Sequence, residues 1–169
     1  MFDLFNGLPV HPLVVHGVVV LLPLACLGTL AIAVRPAWRR QYGVLVVACG
    51  AVATALIPVA TSSGEALEEH VGGAGEHAEM GDQLIWFAIP LLVLSLALVW
   101  LDRRERAVPA PDGTEAGPST GKGDRRQGHA TRVVAVLALV AALATSVQVY
   151  RVGDSGARAA WGDRVGSSR

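Results

Sequence analysis

The stretch Val10–Val34, VHPLVVHGVVVLLPLACLGTLAIAV, contains no Asp, Glu, Lys or Arg and decides the fold. A helix needs roughly 20 apolar residues to cross a hydrocarbon core of about 30 Å. Only backbone in regular structure satisfies its own hydrogen bonds there. The same criterion selects residues 42–62, 84–101 and 133–149. The sequence therefore predicts an all-α, integral membrane four-helix bundle, which is a single four-span transmembrane domain.

The composition supports a membrane protein. Of the 169 residues, 52% are hydrophobic and only 17% are charged, which is too apolar for a typical soluble domain of this length. The 14 basic and 14 acidic residues cancel, so nothing favours binding to nucleic acid. The first nine residues contain Asp3 and no Lys or Arg, which indicates a retained helix rather than a cleaved signal peptide.

The charges between the spans predict an orientation. The first and third connections carry ten cations: Arg35, Arg39, Arg40, Arg103, Arg104, Arg106, Lys122, Arg125, Arg126 and Arg132. The middle connection, 63–83, has six carboxylates and no cation. Since cations favour the cytoplasmic side, both termini and the 63–83 loop are expected outside, in a bacterial plasma membrane. Four arginines in the C-terminal tail oppose this orientation but are outnumbered.

Two further segments complete the organisation of the chain. Residues 102–131 concentrate proline, glycine and charge, and we expect a disordered, flexible cytoplasmic linker between helices 3 and 4. Residues 152–169 are expected to form an extracytoplasmic tail. Small residues in the second and fourth spans favour close helix packing: Ala48, Cys49, Gly50, Ala53, Thr54, Ala135, Ala138, Ala141, Ala142 and Ala144.

Histidines mark the end of the molecule that faces outward in this orientation. His11 and His16 lie at the start of the first span, five residues apart, which is about 140° around an ideal helix. If both are helical they cannot point the same way. If His11 lies outside the helix, the two could converge.

The acidic loop contributes a second pair of histidines, His70 and His77. A continuous helix would place this pair on one side, but the intervening glycines make a hinge between two helical turns an equal alternative. Glu69 and Glu76 adjoin these histidines, and Gln148 and Asp154 lie near the outer end of the fourth span. These four residues are candidate hydrogen-bond partners that would orient a ligating imidazole.

Three functional hypotheses follow. His11, His16, His70 and His77 are candidate ligands of a b-type haem held within the bundle, or of Zn or Cu near the outer face. Alternatively they are interfacial residues of a cofactor-free accessory or structural subunit. Small-solute transport ranks last, because no charged residue lies within a predicted span. No motif of an enzyme is present, and a C-x-x-C-H site for covalent haem is absent from the sequence.

The chain resembles membrane proteins of the domain-of-unknown-function family 2231. The residues that carry the resemblance are Gly7 to His16, GLPVHPLVVH, and Arg151 to Ala157, RVGDSGA, followed by Trp161. The resemblance implies an uncharacterised multi-pass membrane protein and matches His11 and His16 to the opening histidines of the family. Many members have His where this chain has Asp154. Some relatives are joined to Rieske iron–sulfur or cytochrome modules, which implies a membrane redox protein as partner. A homo-oligomer is the other expected assembly.

Overall fold

The computed structural model describes the backbone of residues 4–5, 8–71, 75–107 and 121–166, and the side chains of residues 12–64, 79–107 and 128–158. Four helices make up nearly all of this part of the chain: α1 (Val10–Val34), α2 (Pro36–Val71), α3 (Gly75–Ala107) and α4 (Gly121–Gly166). Two antiparallel strands of two residues each, β1 (Leu4–Phe5) and β2 (Leu8–Pro9), precede them. The predicted all-α class is confirmed.

All four helices are long and apolar enough to cross a membrane, over Pro12–Val34, Pro36–Gly64, Glu79–Ala107 and Gly128–Arg158. The bounds of α1 equal the predicted first span, whereas the other three helices extend beyond their predicted spans at both ends. Helix continues through 102–107 and resumes at Gly121, so these parts of the expected linker are helical. The rest of that linker, 108–120, lies outside the described residues. In the expected tail, α4 continues to Gly166.

The helices form an antiparallel ring in which each packs against the next and α4 closes against α1. Gly17 faces Leu56 whereas Gly28 faces Val46, which fixes the antiparallel register of α1 and α2. Consequently the start of α1, the end of α2 and the start of α3 lie at one end, here called the histidine end. The end of α1, the start of α2, the end of α3 and the start of α4 form the arginine end.

The core consists of two apolar clusters stacked along the bundle axis. The cluster toward the histidine end contains Val18, Leu22, Cys26, Ala53, Ile57, Leu84, Ala88, Leu91 and Ala142. The cluster toward the arginine end contains Ile32, Ala33, Val46, Leu98, Val99, Ala135 and Ala138. Large apolar side chains on every helix also point away from the bundle, as lipid requires, including Leu24, Leu45, Leu96 and Leu143.

Glycines bring adjacent helices into close contact. A Cβ placed on Gly28 of α1 would lie 2.6 Å from Val46 Cγ2, and one on Gly43 of α2 would lie 2.7 Å from Val99 Cγ2. Both distances are shorter than a carbon–carbon contact allows. Helix association in lipid depends on such close packing because lipid supplies no hydrophobic driving force.

Candidate functional site

His16 is the only candidate ligand whose side chain falls within the described part of the chain. Its imidazole is exposed, and Nδ1 donates a hydrogen bond to the carbonyl oxygen of Pro12, one turn earlier in α1. In the neutral ring this bond places the hydrogen on Nδ1 and leaves Nε2 as the acceptor. A backbone carbonyl on one ring nitrogen is a common arrangement for a histidine that binds metal through the other.

The face of α1 that carries His16 points away from the core. Val19 and Val20, one turn further along, are exposed to 56% and 62%, whereas Val18 and Leu22 are buried in the interior. Residues three and four apart share a helix face. The imidazole is therefore on the outer surface of α1, and this position does not favour haem ligation between the helices.

The backbone separates some of the predicted histidines. Because α1 begins at Val10, both His11 and His16 are helical, and their positions differ by about 140°. Gly17 faces Leu56, and α2 runs as helix for another 14 residues from Leu56 to His70, about 21 Å. That length exceeds the reach of two imidazoles on one ion, so this geometry does not bring His16 and His70 together.

The other predicted residues of the acidic loop lie on two different helices. Residue 70 belongs to the last turn of α2 and residue 77 to the first turn of α3. The side chains of His11, Glu69, His70, Glu76 and His77 lie outside the described residues.

Gln148 and Asp154 are engaged with other parts of the protein. Gln148 is 2% exposed, and its Nε2 donates to the carbonyl oxygen of Met80 at 3.4 Å, which joins α4 to α3. Asp154 forms an ion pair with Arg158, with 2.8 Å between Oδ2 and Nη2. Within residues 12–64, 79–107 and 128–158, His, Cys, Asp and Glu form no group of three or more that could hold a metal.

Buried hydroxyl groups connect the helices inside the bundle. Thr29 Oγ1 of α1 and Ser95 Oγ of α3 are 2.8 Å apart, and Ser95 also donates to the carbonyl oxygen of Leu91. Thr145 of α4 donates to the carbonyl oxygen of Phe87 of α3 at 3.2 Å. No buried side-chain nitrogen or oxygen among the described residues lacks a hydrogen-bond partner.

The arginine end contains a buried ion pair that sequence reasoning missed. Arg39 is 7% exposed and donates from Nε to the Ile32 carbonyl at 2.8 Å and from Nη2 to the Ala33 carbonyl at 3.1 Å. Its Nη1 lies 3.8 Å from Asp102 Oδ1. One guanidinium thus caps the last turn of α1 and joins α2 to α3.

The same cluster extends to the remaining helix. Arg106 forms two hydrogen bonds with Asp102, at 2.9 and 3.2 Å, and Thr131 of α4 donates to Glu105 of α3. The signal for this cluster was present in the sequence, since Asp102 is the first acid after the third span and Arg39 lies one turn into α2. The sequence alone did not show that the start of α2, with Arg39, lies against the end of α3, with Asp102.

Comparison with known protein families gives a match over nearly the whole chain. The model of a family described as predicted membrane protein, DUF2231, matches residues 7–169. No curated protein matches the chain, and no solved structure matches it. The match covers all four helices and includes the positions of all five histidines.

Proposed function

This chain belongs to the DUF2231 family of membrane proteins, and from its closed interior we propose that it is a cofactor-free accessory membrane subunit. It acts through its outer surfaces rather than through a haem or a solute route between its helices. Its partner on this proposal is another integral membrane protein, for which a redox enzyme is the first candidate and a second copy of the chain the alternative.

The packing of the interior carries this proposal. Glycine contacts bring α2 against both α1 and α3, and the Thr29–Ser95 hydrogen bond links helices across the diagonal of the ring. A haem between the helices would need the space that these contacts occupy. The buried polar groups described above are already partnered, so none is left to select a solute.

His16 supports a second candidate function, which is binding of Zn or Cu at the outer surface. Its Nδ1 is held by the Pro12 carbonyl, and the exposed ring has Nε2 as its acceptor. The other ligands would come from the partner protein, because His11 lies about 140° around α1 from His16 and α2 carries His70 away from it. On this proposal the protein presents a metal ion to a redox partner.

Absorption spectra and elemental analysis of the purified protein distinguish the two proposals. We expect no Soret band and only substoichiometric Zn and Cu after mild detergent extraction. Stoichiometric metal that is lost in His16→Ala and retained in His129→Ala would contradict the accessory proposal. His129 is a matched control because it is exposed and lies at the opposite end of the bundle.

Photo-crosslinking in intact membranes tests the partner directly. A photoreactive residue at Leu143, which is 57% exposed, should form a discrete adduct with a membrane protein if this face contacts the partner. The same residue at Leu98, which is fully buried, serves as the control. If Leu24, Leu96 and Leu143 all give lipid adducts alone, the accessory proposal fails.

The proposed orientation places the arginine end in the cytoplasm and both termini outside the plasma membrane. The distribution of cations supports it, because the arginine end has the larger number. A membrane-impermeant maleimide should label Gly153→Cys in intact cells and should not label Arg40→Cys until the cells are lysed. Both positions are exposed, so the reverse pattern would overturn the orientation.

A further inference from the structure

The arginine end has more cations than its carboxylates neutralise. Asp102 is engaged by Arg39 and Arg106, and Glu105 accepts a hydrogen bond from Thr131. Within the described side chains, no ion pair joins a carboxylate to the remaining five arginines of this end. All five are exposed: Arg35, Arg40, Arg103, Arg104 and Arg132.

Two of these arginines are held against tryptophan rings. The Arg35 Cζ lies 5.0 Å from the centroid of Trp38, and the Arg104 Cζ lies 4.5 Å from the centroid of Trp100. Stacking fixes the plane of a guanidinium and leaves its in-plane N–H groups free to donate to phosphate oxygens. The pairs lie at the start of α2 and the end of α3, which are adjacent helices.

An apolar stripe continues from each Arg–Trp pair toward the middle of the bundle. Leu45 follows Trp38 by two turns, and Leu96 and Val93 precede Trp100 by one and two turns, so each set shares a helix face. Leu45, Leu96 and Val93 are 61%, 53% and 57% exposed. Each of these two helix faces therefore combines a cation at its end with apolar side chains along its length.

The opposite end lacks this excess of positive charge. Its described charged residues are three acids and two bases: Glu79, Asp82, Asp154, Arg151 and Arg158. Arg158 is paired with Asp154. An anionic ligand is therefore favoured at the arginine end alone.

We propose that the arginine end binds an anionic phospholipid. Each Arg–Trp pair forms its own site: Arg35 holds phosphodiester oxygens of a lipid whose acyl chain lies along Leu45, and Arg104 holds those of a lipid whose acyl chain lies along Leu96. A lipid fits better than a soluble phosphate because the stripe below the cations matches an acyl chain. Cationic clusters of this kind at the ends of membrane helices favour anionic headgroups.

Native mass spectrometry of the detergent-solubilised full chain tests this proposal. Phosphatidylglycerol and phosphatidylcholine with identical acyl chains are titrated separately, and we expect tighter retention of phosphatidylglycerol. Arg35→Ala/Arg104→Ala should weaken its binding about tenfold and leave phosphatidylcholine unchanged. Arg151→Ala/Arg158→Ala removes the same charge from the opposite end and should retain full binding.

Equal retention of the two lipids would overturn the proposal, as would an equal loss in both double variants. Competition by glycerol phosphate as effective as that by lipid would assign the site to soluble phosphate instead. Circular dichroism of each variant monitors folding. If Arg35→Ala/Arg104→Ala fails to fold, Trp38→Leu/Trp100→Leu replaces it, which keeps the charges and removes the rings; unchanged lipid selectivity in that variant would also contradict the proposed site.

Discussion

At the scale of single residues, Arg39 of α2 contacts both neighbouring helices, α1 and α3. It bonds two carbonyl groups at the end of α1 and pairs with Asp102 of α3 while almost fully buried. Burying a charge is costly unless partners compensate for lost water, and removal of one partner leaves the other uncompensated. Arg39 therefore stabilises the arginine end through its bonds to the end of α1 and its ion pair with α3.

Arg39→Ala should lower the free energy of unfolding by about 1 to 3 kcal/mol, because the end of α1 loses a charged hydrogen-bond donor and Asp102 keeps only Arg106 as its partner. Unfolding in mixed detergent micelles by SDS titration measures this change. The neighbouring Arg40→Ala, at an exposed position, should stay within about 0.5 kcal/mol of the parent. Equal effects of the two substitutions would show that burial of Arg39 contributes nothing.

Sequence reasoning at this scale located polar residues but not their contacts. The position of His16 near one end was predicted, and its exposed face depends on the rotation of α1, which packing determines. Asp102 was assigned to a linker because it ends an apolar run. In the structure α3 continues as helix through Ala107, and Asp102 pairs with Arg39 and Arg106.

At the scale of helices, glycine positions determine how closely neighbours pack. Val46 occupies the space where a side chain at Gly28 would be, and Val99 does the same for Gly43. Ala53, Ala138 and Ala142, which the sequence predicts to be packing residues, are fully buried, whereas Ala48 is exposed. Composition thus identified small residues, but only the interhelical register shows which of them make contact.

Gly28→Ala should destabilise the bundle by about 1 to 3 kcal/mol, because the new methyl group overlaps the stiff side chain of Val46. Gly153→Ala is the matched control, since nothing lies within 4 Å of a Cβ at that helical position. We expect Gly153→Ala to raise stability by about 0.4 to 1 kcal/mol. Thermal unfolding in detergent compares the two variants.

The pair Gly28→Ala/Val46→Ala provides an internal check of the contact. Removal of the valine methyl groups should relieve the overlap, so that Gly28→Ala costs less in the Val46→Ala background than in the parent. Additive effects of the two substitutions would contradict the close approach of α1 and α2.

At the scale of the whole molecule, hydropathy predicts four spans. Short connections between antiparallel spans then predict that His11, His16, His70 and His77 lie at the same end of the bundle. The sequence predicted both because span length and loop length are local properties. Closure of the interior is a collective property of glycine contacts, apolar clusters and the bonded hydroxyl groups of Thr29 and Ser95. The accessory role proposed above depends on that closure.

Disulfide formation across the diagonal of the ring tests closure most directly. In a background with Cys26→Ala and Cys49→Ala, Thr29→Cys/Ser95→Cys replaces two oxygens that are 2.8 Å apart, and oxidation in native membranes should join α1 to α3. The outward pair Leu24→Cys/Leu96→Cys should remain reduced within the chain. A folded protein in which the 29–95 disulfide does not form would contradict the close packing of α1 against α3. The interior of the bundle would then again be a candidate site for a haem.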